Sequence, residues 1–86
     1  MPRFFFDTYD QHKLSRDDEG IDCGSIRQVQ DRAIDALPDM AREALPNGPT
    51  HEFRVEVRNR QGRIVFRTSL SLTSEWFDEV FPTDRC

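Results

Sequence analysis

Between residues 53 and 72 apolar and polar positions alternate twice. Phe53, Val55 and Val57 stand against Arg54, Glu56 and Arg58, and Ile64, Phe66, Leu70 and Leu72 stand against Val65, Arg67, Ser69 and Ser71. A period of two is that of a strand with one face buried, so the two runs predict a β-hairpin around Asn59-Arg60-Gln61-Gly62. Both apolar sets must face one core, so odd residues of the first strand must oppose even residues of the second, which takes an even number of loop residues. A four-residue loop from Asn59 to Gly62 meets this condition, with Gly62 at positive φ, and sets Val57 opposite Ile64.

The period changes between residues 26 and 45. Ile26, Val29, Ala33, Leu37, Met40, Ala41, Ala44 and Leu45 recur at three- and four-residue steps, the stripe of an amphipathic helix. Ser25 with Gln28 three positions later has capping-box spacing, each side chain satisfying the other's free backbone N–H. Leu45-Pro46-Asn47-Gly48-Pro49 stops the helix. Pro38 lies inside it, where it removes a hydrogen bond and crowds the Ile34 carbonyl; because the stripe continues beyond it, the pattern predicts a helix from about Ile26 to about Leu45 with a bend at Pro38.

Residues 3–9, rich in aromatics and free of Gly and Pro, predict a first strand. Asp10-Gln11-His12-Lys13 reads as a turn and Leu14–Arg16 as a short return strand. The fold class is therefore α+β: an antiparallel sheet of three to four strands in ββαββ order, with one amphipathic helix packed on one face. Residues 1–73 form the single domain and residues 74–86 a tail. In the tail Trp76, Phe77, Val80 and Phe81 have the spacing of one or two helical turns that fold back.

Composition narrows the function classes. A chain of 86 residues with 36% apolar residues buries a small core, and its stability is modest or shared with a partner. Cys23 and Cys86 lie far apart and no signal peptide precedes them, which predicts reduced thiols and a cytoplasmic location. No apolar run approaches the roughly 20 residues that span a bilayer, so no membrane partner is expected. The net charge of −4 disfavours nucleic acid as a partner, but charge is unevenly spread. Arg54, Arg58, Arg60, Arg63 and Arg67 crowd one stretch beside a single acid, Glu56, whereas Asp17, Asp18, Glu19 and Asp22 gather in one loop.

The sites of common chemistries are missing. His12 and His51 fall in predicted turns without a cysteine or carboxylate at metal-ligand spacing, so both read as solvated and no metal or other cofactor is expected. Asp17-Asp18-Glu19-Gly20 lacks the alternating oxygen ligands of a calcium loop and reads as a solvated turn. No Ser, Thr or Cys sits beside a base in a nucleophilic arrangement. No catalytic residue is assigned, and the chain is expected not to be an enzyme. The first strand's parity leaves open which of the aromatic pairs, Phe4 and Phe6 or Phe5 and Tyr9, lies away from the helix. If the helix side carries Phe4, Phe6, Val55, Val57, Ile64 and Phe66, the other face carries Phe5, Tyr9, Arg54, Arg58, Val65 and Arg67, the aromatic and arginine mixture common at binding surfaces. Against this stands the plain alternative that a one-helix domain leaves its other sheet face wet, with arginine stems covering the aromatics. Trp76 and Phe77 of the tail complete the candidate interaction residues.

Pro2-Arg3-Phe4-Phe5-Phe6-Asp7, Asp17-Asp18-Glu19-Gly20 with Ile21, Met40-Ala41-Arg42-Glu43, and Val55-Glu56-Val57-Arg58 followed by Gly62 together resemble a family of short bacterial proteins, common in rhizobia and their relatives, defined as a domain of unknown function. The resemblance runs to about Leu72 and implies a free-standing bacterial domain, with no activity, cofactor or catalytic residue to carry over. The leading expectation is a small cytoplasmic interaction or regulatory module that binds an unknown protein or itself, as a homodimer through the open sheet face or the aromatic tail. The alternative is a nucleic-acid accessory protein whose Arg54, Arg58, Arg63 and Arg67 meet phosphates while Phe5 and Tyr9 stack on bases.

Overall fold

The computed structural model describes residues 2–11, 13–44 and 48–77. Its elements follow in the order β1 (Arg3–Asp10), β2 (Lys13–Ser15), β3 (Ile21–Asp22), α1 (Ile26–Ala44), β4 (Thr50–Arg58) and β5 (Ile64–Thr73). The chain is an α+β domain with one helix on an antiparallel sheet ordered β2-β1-β4-β5. The short β3, which the sequence pattern did not reveal, pairs with the start of β1 through Arg3↔Asp22 and Phe4↔Ile21. Two residues carry too little alternation to register as a strand.

The core lies between α1 and the sheet. Val29, Ala33 and Leu37, at four-residue steps, are buried against Phe53, Val55 and Val57, with Cys23 closing one end. Burying each such aliphatic side chain is worth about 1.5–3 kcal/mol, so this layer, rather than helix propensity, holds α1. The helix runs unbroken through Pro38. At its start the Gln28 N–H donates to Ser25 Oγ at 3.2 Å, as the capping spacing predicts. The return contact differs: Gln28 Oε1 accepts from Gly24 N–H rather than from Ser25 N–H. Ile26, expected in the stripe, is the first residue of α1 and is 85% exposed. Leu45 and His12 lie outside the described residues.

The hairpin keeps the expected parity by a different device. The Asn59 N–H donates to the Arg63 carbonyl at 2.9 Å, so the loop spans Asn59 to Arg63 and has an odd length. A bulge restores the parity: Arg58 pairs with Ile64, but the next pair is Val57↔Phe66, which leaves Val65 as the extra residue. Val57 therefore opposes Phe66, not Ile64, and Ile64 moves to the face away from the helix. Gly62 has φ +84°, as predicted. His51 is not in a turn. It extends the buried odd positions of β4 by one step, is buried, stacks on Phe53 with ring centroids 4.5 Å apart, and places Nε2 against Asp10 Oδ1.

Candidate functional site

The strand registers decide which side chains meet on the face away from α1. Across β1 and β4, Phe5 opposes Arg58, Asp7 opposes Glu56 and Tyr9 opposes Arg54. Across β4 and β5, Arg58 opposes Ile64 and Glu56 opposes Arg67. Cross-strand partners share a face, so Phe5, Tyr9, Arg54, Arg58 and Arg67 are brought together. Asp7 and Glu56 stand among them. Sequence reasoning did not single them out; the alternation is the signal that could have placed them on this face, and only the register shows that the two acids lie directly opposite each other.

That central acidic row is buried, with Asp7 4% and Glu56 6% exposed. Two facing carboxylates repel, and the surrounding arginines offset this. Arg58 donates to both oxygens of Asp7, Nε to Oδ2 at 2.7 Å and Nη2 to Oδ1 at 3.0 Å. Arg67 Nε donates to Glu56 Oε2 at 2.7 Å, and Arg54 Nε lies 3.4 Å from the same oxygen. The guanidinium of Arg54 sits 4.3 Å from the Tyr9 ring centroid and that of Arg58 sits 5.1 Å from the Phe5 centroid, both within cation–π reach. The Tyr9 hydroxyl bonds to Glu56, which raises the phenol above its ordinary value of 10.0.

The acidic loop is a brace rather than a solvated turn. Asp17 Oδ1 accepts from Glu19 N–H and Gly20 N–H, closing its own turn, while Oδ2 accepts from Phe6 N–H at 3.0 Å. Asp17 thereby satisfies the β1 edge in the gap between β2 and β3. The Asp17 N–H donates to Asp7 at 3.0 Å and Arg58 donates to the Asp17 carbonyl at 2.9 Å, which joins loop and acidic row. Burial alone would raise both carboxyls. The hydrogen bond from Arg58 and the Asp17 N–H outweigh it at Asp7, and three backbone N–H groups outweigh it at Asp17, so both titrate below 3.8. The same contact with Asp7 raises Arg58 above its ordinary value. Gly20, at φ +78°, lies so close that a Cβ there would come within 2.8 Å of Arg3 Cγ and 2.9 Å of Phe5 Cε2.

Trp76 and Phe77 do not join this face: they are 83% and 90% exposed beyond the end of β5. Val80 and Phe81 lie outside the described residues. The two sheet edges are unequal. β1 is covered by β2, β3 and Asp17, whereas among the described residues β5 pairs only with β4 and exposes Ile64, Val65 and Leu70. Sequence reasoning missed this edge because each β5 side chain, taken alone, fits an ordinary strand. Among the described residues no group of three His, Cys, Asp or Glu side chains is arranged to hold a metal ion, and no helix is long and apolar enough to cross a membrane.

Among the described residues, fold and site thus define an α+β domain of one helix on a sheet, with an internally paired charge layer on one sheet face and a long open edge at β5. Residues 3–71 match the family model described as Domain of unknown function (DUF6894), and the chain belongs to that family. No curated protein and no solved structure matches the chain.

Proposed function

We propose that this chain is a small non-enzymatic protein-interaction module whose contact surface is the β5 side of the sheet. The observation that carries the reading is the exposed apolar edge strand beside a face whose arginines already have partners. Ile64, Val65 and Leu70 are each more than two-fifths exposed on a strand that has one unpaired side among the described residues, and an open edge presents unpaired N–H and C=O groups to an incoming strand. Arg54 and Arg67 share Glu56, and Arg58 is held by Asp7. A phosphate would have to displace these carboxylates, which favours a protein partner over nucleic acid. The test is capture from a lysate of the cells that make the protein, comparing wild type with Leu70→Lys. Partners lost with the variant support the β5 surface. An identical capture profile removes it.

A further inference from the structure

Resting on that reading, we propose that the strand that pairs with β5 is β5 of a second copy of this chain, antiparallel about a twofold axis at Ser69.

The backbone settles which groups the edge offers. In β1 the Phe6 N–H goes to Asp17, away from β4, so its partner Val57 directs its backbone groups toward β5. The Gln11 N–H bound to the Glu52 carbonyl, and the Ser74 N–H bound to the Pro49 carbonyl at 2.7 Å, continue the same phase. Phe66, Thr68, Leu70 and Leu72 therefore bond inward to β4. Arg67, Ser69, Ser71 and Thr73 direct their N–H and C=O outward, where no strand of the described residues lies.

Outward groups must oppose outward groups in an antiparallel pair, and a twofold axis normal to the sheet keeps both helices on one side. The axis then passes through a residue. At Ser69, Arg67 of each copy opposes Ser71 of the other, Phe66 opposes Leu72, and Thr68 opposes Leu70. This arrangement joins the half-covered Phe66 and Leu72 to the exposed Leu70 on the helix side, where α1 leaves β5 partly uncovered. On the other side it meets only serines and Arg67. Arg67 is the single charge in the strand, pairs with Glu56 of its own chain and opposes the uncharged Ser71 of the second copy, so no like charges face each other across the pair. β5 has no proline or lysine to blunt it, and its bulge lies at the end, at Val65, clear of the paired stretch. An axis moved to Leu70 would set Phe66 against Ser74, beyond the end of the strand.

The experiment uses the full chain carrying Cys86→Ser, with Ser69→Cys or Thr73→Cys, under mild oxidation, together with light scattering across a concentration series. Facing residues at the axis lie about 5.5 Å apart between Cα atoms, within disulfide reach, whereas the two Thr73 residues lie roughly 27 Å apart at about 3.4 Å per residue. Concentration-dependent dimers that cross-link through Cys at 69 and not at 73 are expected. Ser69→Pro should give a folded monomer, because the Ser69 N–H faces away from β4 and meets no strand among the described residues. If Ser69→Pro fails to fold, Ser71→Pro replaces it: the Ser71 N–H also faces outward and would bond Arg67 of the second copy, so its removal should weaken the dimer at least tenfold. A monomer at every concentration, or equal cross-linking at 69 and 73, overturns the proposal. If β5-dependent capture of another protein persists in that case, the interaction reading stands and only the self-pairing falls.

Discussion

At Asp7 a single carboxylate ties three parts of the chain together, taking two hydrogen bonds from Arg58 and one from the Asp17 backbone. Asp7→Asn leaves a largely buried guanidinium without its counter-charge, and the expected loss in urea denaturation is about 3 kcal/mol. The pH dependence follows in sign. Asp7 and Asp17 titrate below their ordinary value of 3.8 in the folded state, so the unfolded chain takes up protons first as pH falls. Their stabilisation is complete above the ordinary carboxylate range and is lost as pH drops through the folded values. Denaturation midpoints should be nearly flat from neutrality to about pH 5 and decline below about pH 4, less steeply in Asp7→Asn. Tyr9 is the only tyrosine, so its phenol can be followed by ultraviolet absorbance. It should ionise above 10.0, because Glu56 accepts its proton in a hydrogen bond, and Glu56→Gln should bring the titration down. An unchanged midpoint would place the cause elsewhere.

At the scale of the element, α1 carries two opposed local effects. The Ser25 hydroxyl satisfies the Gln28 N–H at 3.2 Å, and Ser25→Ala should lower stability by about 1 kcal/mol. Pro38 interrupts the hydrogen-bond ladder of a helix that nonetheless runs from Ile26 to Ala44. Leu37 before it is buried and Met40 after it is partly buried, so packing on the sheet carries the helix across the break. Pro38 itself is exposed, and Pro38→Ala should therefore raise stability by as much as about 3 kcal/mol, the intrinsic difference between the two residues. Thermal unfolding checks both substitutions. A loss with Pro38→Ala would show that the core is packed around a bend the proline maintains.

For the whole molecule, the distribution of charge matters more than its sum. Of the arginines that suggest phosphate binding in the sequence, Arg54, Arg58 and Arg67 are held by Asp7 and Glu56 in the fold and Arg63 is exposed in the hairpin loop, while a net charge of −4 remains. Titration with random-sequence single-stranded oligonucleotides at low salt should give no binding. Affinity there that falls steeply as salt rises, by about 0.7 in logarithmic slope for each neutralised phosphate, would revive the nucleic-acid reading. Local information in the sequence was enough to determine the helix, its cap, the hairpin with Gly62 at positive φ, and the alternation that sets Arg54, Arg58 and Arg67 apart from the core. Each depends on a period or a turn spanning a few residues, and propensity and alternation act at that range. The register of β1 on β4 decided that Phe5 and Tyr9 join those arginines. Tertiary structure alone decided that Val57 meets Phe66, that His51 is buried beside Asp10, that Asp17 closes the β1 edge, and that Asp7 faces Glu56 beneath the arginines. These depend on register between segments distant along the chain: a single bulged residue at Val65 resets every later pairing, and a carboxylate's environment depends on which strand lies beside it.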